Sequence, residues 1–335
     1  MPQEIFMSII IPTYNPRQFL PQILGSIAKN KHLDRLEVIL SDDCSSEPFE
    51  DVLEQFKMLN IRIIKNDEHK GFPRCGRQHG ADEAKGEWFT FADQDDYYVP
   101  YAFDDIITFI KSVKAKNYIT SDFIEESVET GEQIVRNRFK GWTHGKFYEK
   151  KFWVENGICY DNVDYCEDIN LSVKLDCLVT SENIKTFEYD KPLYIWRRRK
   201  DSLASIEYFI KSMPDYITAT LGVTLGYVEK YKNLENKQLT DAFYIKFLAT
   251  FLHIYFYFQS HILNDKKQVL LESVSIAQPI WTRFKEVSGF TNADIINFFN
   301  GDLMWLYQKT RNDDYSQIPF IEQLSFADWL TLYFD

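Results

Sequence analysis

Short apolar runs alternate with amphipathic ones through the first hundred residues, and this alternation restricts the fold more than any other feature of the chain. Met7 to Ile11 is β-branched and stops at Pro12, as a buried strand would. Leu36 to Leu40, Ile61 to Lys65 and Trp88 to Ala92 repeat the pattern. Between them, helices are expected from Asn15-Pro16 (a cap and a proline at the first helical position) to about Lys29, from about Pro48 to Met58, and from Arg74 to Lys85. A β-α-β-α order of this kind argues for an α/β fold, with a mostly parallel, Rossmann-like central sheet and flanking helices. Ligands of such sheets bind beyond the carboxyl ends of the strands. Pro12-Thr13-Tyr14, Asp42-Asp43 and Asp93 to Asp96 all fall there.

Farther along, Tyr118 to Arg138 reads as short strands around a turn at Thr130-Gly131. A helix from about Glu167 to Leu178 follows, then two strands, Ile184 to Glu188 and Leu193 to Arg197. Beyond Ile206 the pattern becomes long, aromatic and helical, with breaks near Asn233, Asn264, Gly289 and Asp313. The expected division is therefore an α/β domain over residues 1–205 and an all-helical C-terminal region over 206–335. The run Phe247 to Phe258 is about half the length of a membrane span and contains His253, so it reads as a buried helix. The N-terminal apolar run is too short for a signal peptide.

Charge and cysteine content narrow the partners. With 38 basic and 50 acidic residues the net charge is -12, which disfavours broad nucleic-acid binding but not a nucleotide held in a local basic pocket. Five cysteines without C-x-x-C spacing read as reduced thiols of a cytoplasmic protein, not as a disulfide frame or zinc site.

The densest chemical signal is Asp93-Gln94-Asp95-Asp96, leaving an apolar strand. Residues two apart in an extended segment point the same way, so Asp93 and Asp95 can share a target. Their hard oxygens suit Mg2+ or Mn2+ bridging phosphates, while the same residues equally make an acidic turn and helix cap. Upstream, Gly71-Phe72-Pro73-Arg74 opens a helix with Arg74 and Arg77 in its first turns, and Ala84-Lys85-Gly86-Glu87 leads into the strand carrying the acids.

These stretches, with Ser8-Ile9-Ile10-Ile11-Pro12-Thr13-Tyr14-Asn15 and Ser41-Asp42-Asp43-Cys44-Ser45, resemble in order and spacing a family 2 glycosyltransferase with the GT-A fold. The resemblance covers roughly the first two hundred residues. One departure is Gln78-His79, where the family usually has Asn and a small or apolar residue. The resemblance implies that Pro12, Tyr14, Asp43 and Arg77 hold a nucleoside, that Asp93 and Gln94 lie along the donor, and that Asp95, with Asp93, binds the metal. It also implies that Asp168 is the base which deprotonates the acceptor, with Glu167 beside it. Acids are equally favoured in the first turn of any helix. Arg197, Arg199 and Ser202 match the family's diphosphate contacts, since guanidinium forks suit phosphate oxygens. Gly141-Trp142-Thr143-His144-Gly145-Lys146 resembles its acceptor-side loop, where Trp142 would stack on a sugar and His144 approach the metal or diphosphate.

The activity implied is metal-assisted, inverting transfer from a UDP-sugar to a glycan or polyol-phosphate acceptor, in the setting of bacterial cell-surface polysaccharide or wall teichoic acid. Mn2+ or Mg2+ is the implied cofactor. The C-terminal helices would dock acceptor, form a homo-oligomer or rest peripherally on a membrane surface. Two other readings stay open: a sugar-nucleotide nucleotidyltransferase, which would want a Gly-rich basic loop where Pro12-Thr13-Tyr14-Asn15 stands, and a catalytically silent binding or scaffold protein with this fold.

Overall fold

The computed structural model describes residues 4–137, 142–163, 166–199, 212–232, 237–261, 267–298 and 326–334. The chain divides into two compact units, Met1–Leu175 with Glu182–Ser202, and Asp176–Ser181 with Leu203–Asp335.

Among the described residues the first unit is built on a nine-stranded sheet. Strands β1 (Met7–Thr13), β2 (Leu36–Asp42), β3 (Ile61–Lys65) and β4 (Trp88–Phe91) pair in parallel in the order β3-β2-β1-β4. All seven residues of β2 are buried, as is every residue of β1 except Pro12, the signature of parallel strands covered on both faces. Beyond β4 the sheet becomes mixed. It continues through β8 (Lys146–Glu149), β6 (Tyr118–Ser127), β9 (Phe187–Arg198) and β5 (Tyr97–Tyr98), with β7 (Gln133–Arg136) paired to β6.

Helix α1 (Leu20–Ile27) buries Leu20, Ile23, Leu24 and Ile27, a single stripe at helical spacing. Helix α4 (Ala102–Val113) does the same with Phe103, Ile106, Ile107 and Ile110. Helix α3 (Pro73–Glu83) lies so close to β1 that a Cβ at Gly80 would overlap Ile10, and one at Gly76 would come 3.0 Å from the Pro12 Cβ.

Several expected boundaries move. Helix α1 begins at Leu20 rather than at Pro16, because Asn15 takes a left-handed conformation (φ 45°) and its side chain is used elsewhere. The helix expected from Pro48 to Met58 is one turn, α2 (Glu50–Leu53), followed by a 3-10 turn at Glu54–Phe56. The two strands expected before Arg197 are the single strand β9. Pro192 has no N–H to donate, and the pairing with β6 shifts register around Asp122 instead of ending.

In the second unit every described segment is helical: Met213–Ile217, a π-helical turn Thr218–Gly222, then Val223–Tyr231, Lys237–His261, Lys267–Ser288, Asn292–Phe298 and Phe326–Phe334. Its core is aromatic, with Phe247 stacked on Phe284 (4.0 Å between centroids) and Phe251 on Trp281 (3.9 Å). The break at Gly289 is a left-handed glycine (φ 74°) whose N–H returns to the Lys285 carbonyl, as helix C-termini require. The other expected breaks lie outside the described residues. No helix among those residues is long and apolar enough to cross a membrane.

Candidate active site

Three loops at the carboxyl end of the parallel strands are tied to one another by their own polar groups. The Asp43 N–H donates to the Thr13 carbonyl (2.8 Å). The Tyr14 N–H donates to Gln94 Oε1 (2.9 Å), and Gln94 Nε2 donates back to the Tyr14 carbonyl (3.1 Å). Asn15 caps no helix; its Oδ1 accepts the N–H groups of Ser46 (2.9 Å) and Glu47 (3.1 Å). Pro12 packs under Gly76.

Asp43 organises the next loop. Its Oδ1 accepts Asn66 Nδ2 (2.7 Å) and the Lys70 N–H (2.9 Å), while Oδ2 accepts the Gly71 N–H (2.7 Å) and pairs with His69 (2.9 Å). Burial works against the charge, but these donors outweigh it and hold the carboxyl below its ordinary range. The His69 ring lies against exposed Tyr14, with centroids 4.4 Å apart. An aromatic wall thus stands beside a fixed carboxylate at the expected nucleoside position.

Arg77 sits on the inward stripe of α3 and is only 4% exposed. A lone buried guanidinium would be costly, and two carboxylates hold it. Its Nη2 donates to Asp93 Oδ1 (2.6 Å) and its Nη1 to Glu167 Oε1 (2.5 Å). Asp93 leaves β4, while Glu167 opens helix α6 (Glu167–Ser181). The two acidic motifs therefore meet at one cation.

The remaining acids of the loop are held from the other side. Asp96 is buried; its Oδ2 accepts the Tyr194 hydroxyl (2.7 Å) and its Oδ1 the Arg197 N–H (2.8 Å). The same hydroxyl accepts the Asp93 N–H (2.9 Å). Arg199 pairs with the Asp95 carboxylate and lies over the Phe19 ring. Arg197 reaches the Asp95 carbonyl (3.3 Å) and Gln22 Oε1 (2.8 Å). Arg197 and Arg199 thus converge on the acidic loop from one side, as alternation along a strand predicts. Ser202 lies outside the described residues.

Asp168 follows Glu167 in the first turn of α6, and its Oδ1 accepts the Ile169 N–H (2.8 Å). Burial, then the Glu167 charge, push its pKa up to about 7, against the pull of Arg77, the Ile169 N–H and Lys146. Proton acceptors are useful in that range.

Trp142 and His144 do not stand open on their loop. His144 stacks on Tyr194 (5.3 Å, 8° between planes) and meets Phe123 edge-on (4.7 Å), and Trp142 packs against Trp196 (4.9 Å). Burial pulls the His144 imidazole down to about 3, so the ring is neutral at ordinary pH.

Four residues carry more of the site than the sequence suggested. Tyr194 and Asp96 join segments nearly a hundred residues apart. Tyr148 and Tyr160 are buried with hydroxyls that have no hydrogen-bond partner among the described residues, and both feel the charges of Arg77 and Asp168. For Asp96 the acidic run was the signal; for the tyrosines only the fold reveals the placement.

Asp93 and Asp95 offer hard carboxylate oxygens of the kind that bind Mg2+ and Mn2+ together with phosphate, but each is paired with an arginine, and among the described residues no group of three or more His, Cys, Asp or Glu is gathered where a metal ion could sit.

The chain is similar to several known proteins. A family model described as Glycosyl transferase family 2 matches residues 8–164. An uncharacterised glycosyltransferase of Haemophilus influenzae is 33% identical over 113 residues, 34% of this chain and 37% of that protein. The GalNAc(5)-diNAcBac-PP-undecaprenol beta-1,3-glucosyltransferase of Campylobacter jejuni is 27% identical over 297 residues, 81% of this chain and 88% of its own length. Among solved structures, S. aureus TarS 1–349 in complex with UDP-GlcNAc matches with a TM-score of 0.66 at 16% identity, covering 96% of this chain and 100% of that one.

Proposed function

The chain carries a family 2 glycosyltransferase domain with the GT-A fold, and from that premise we propose that it transfers a sugar from a UDP-sugar to an acceptor hydroxyl in one inverting displacement. The observation that carries this reading is Arg77, which brings the acidic loop at the end of β4 to the carboxylates at the start of α6.

Tyr14, Pro12 and the loop held by Asp43 form the side that takes the uridine. Arg77 has both Nη nitrogens engaged by carboxylates and works as the bridge between donor and acceptor sides. Asp93 and Asp95 would hold Mn2+ or Mg2+, which would offset the charge of the diphosphate. Arg197 and Arg199 face the same diphosphate, with Ser202 kept as a contact that the family resemblance implies, and preorganised cations of this kind favour departure of a nucleotide. On the other side Asp168 takes the proton of the acceptor hydroxyl. The acceptor oxygen bonds to the anomeric carbon as the bond to the diphosphate oxygen breaks, and its electron pair leaves with UDP. Glu167 orients the acceptor beside the base, and Trp142 with its aromatic neighbours borders that side.

A cell-surface glycan or polyol phosphate is the acceptor class we favour. The Campylobacter relative, named for a lipid-linked glycan, supports it. We assign residues 1–205 to catalysis and 206–335 to acceptor docking, self-association or membrane-surface contact, in a cytoplasmic setting.

Incubation with individual UDP-sugars and a panel of acceptors, with and without Mn2+, tests the reading. Metal-dependent release of UDP from one donor is expected. Silence with every donor and acceptor would make the chain a binding protein.

A further inference from the structure

Lys146 is a buried ammonium in a chain with an acidic balance, 3% exposed, on a strand of only four residues. Its strand, β8, is antiparallel to both β4 and β6, so it lies inside the sheet. Its main chain is pinned there, because Thr90 Oγ1 donates to the Lys146 carbonyl (2.7 Å). The side chain then reaches α6, where Nζ donates to Ser172 Oγ (2.9 Å). Ser172 is four residues beyond Asp168 on that helix, hence about one turn along the same face. The face of α6 that carries Asp168 is therefore the face turned toward Lys146. Taking an ammonium out of water is costly unless anions compensate, and lysine is the cation whose charge state responds most readily to burial.

We propose that Lys146 is a positioning residue for the base: its ammonium holds the Asp168 face of α6 against the sheet, and its charge there favours the ionised form of the Asp168 carboxylate. The inference rests on Asp168 being the base. The groups acting on that carboxylate are Glu167 on its own helix, Arg77 on α3, Lys146 and Tyr148 on β8, and Tyr160 ahead of α6. Of these, Glu167 and burial favour the protonated acid, whereas Arg77 and Lys146 oppose it. Both phenols are pushed well above their ordinary range by burial and stay neutral. His144, two residues before Lys146, is also neutral, so Lys146 and Arg77 are the named cations facing the base.

The test reads the carboxyl directly and needs no donor. In protein labelled with 13C at aspartate carboxyls, the Asp168 signal is identified by its loss in Asp168→Asn and titrated in wild type, Lys146→Met and Lys146→Arg. Removing a nearby cation raises a carboxyl pKa, so Lys146→Met should move the Asp168 midpoint up by about one unit. Lys146→Arg should leave it within about 0.3 unit. In transfer assays the acid limb of kcat should move with the midpoint, and activity lost at pH 7 should return by pH 9. An unmoved midpoint, or a loss of kcat equal at all pH values, would reduce Lys146 to packing and overturn the proposal. Where Lys146→Met does not fold, Ser172→Ala decides: a smaller upward shift supports the proposal and none overturns it. Transfer persisting in Asp168→Asn, with the titration still dependent on Lys146, would instead remove the base assignment alone.

Discussion

The acids of the β4 loop and the acid of α6 differ in what holds them. Asp93 and Asp95 each face an arginine, and Asp96 receives a phenol and a backbone N–H. Asp168 has no ion pair among the described residues, and its pKa lies near 7 instead of the usual carboxylate range. Burial raises the pKa of Asp95 and Asp96 as well, so the contrast lies in their partners: the loop acids sit in ion pairs or hydrogen bonds from other segments, while Asp168 accepts the Ile169 N–H of its own helix. One short stretch of sheet edge thus holds an ion-paired side and, in the proposed reaction, a proton-taking side, joined by Arg77.

The largest effect should come from disabling the proton-taking side. Asp168→Asn should lower transfer by about 10³-fold or more while leaving UDP affinity within about twofold, as read by steady-state kinetics and calorimetry. A comparable loss in both would erase the contrast. The sign of the linkage offers a second check. A carboxyl whose pKa is raised by folding costs stability once pH exceeds its unfolded value, and the full cost is present above its folded value. Asp168→Asn should therefore melt about 2–4 °C above wild type at pH 8, with the gap closing as pH falls through 7 toward 4.

Breaking the joint comes next. Arg77→Met leaves Glu167 and Asp93 without their shared cation and should cost about 3 kcal/mol in denaturant unfolding. A cost under about 1 kcal/mol would mean the bridge is incidental. Asp95→Ala acts on the ion-paired side alone: UDP affinity in Mn2+ should fall roughly 30-fold, with little change in metal-free buffer. The smallest effect belongs to Tyr194→Phe, which deletes one hydroxyl shared by the Asp93 N–H and Asp96. Leaving those buried groups unsatisfied should cost about 1–2 kcal/mol and weaken UDP binding about fivefold.

The same division explains what could be read from sequence. Strands β1 to β4 are mostly apolar runs followed by polar residues, so their order and their shared edge are visible without coordinates. Strand β8 is not, since Lys146–Glu149 is too short to show a period. Asp190-Lys191-Pro192 interrupts β9 as two strands would, because an irregularity in pairing and a strand end share the same residues. The residue types of the site were visible, but not their pairing. That Arg77 meets Glu167 depends on the placement of α3 and α6, ninety residues apart, and no local pattern encodes it.

The stereochemistry of the product tests the central claim most directly. With an α-linked UDP-sugar as donor, a single displacement between the diphosphate side and Asp168 must give a β-linked product, read from the anomeric proton coupling in an NMR spectrum of the purified glycan. A β product formed by wild type and absent with Asp168→Asn is the result predicted here; an α product would contradict it.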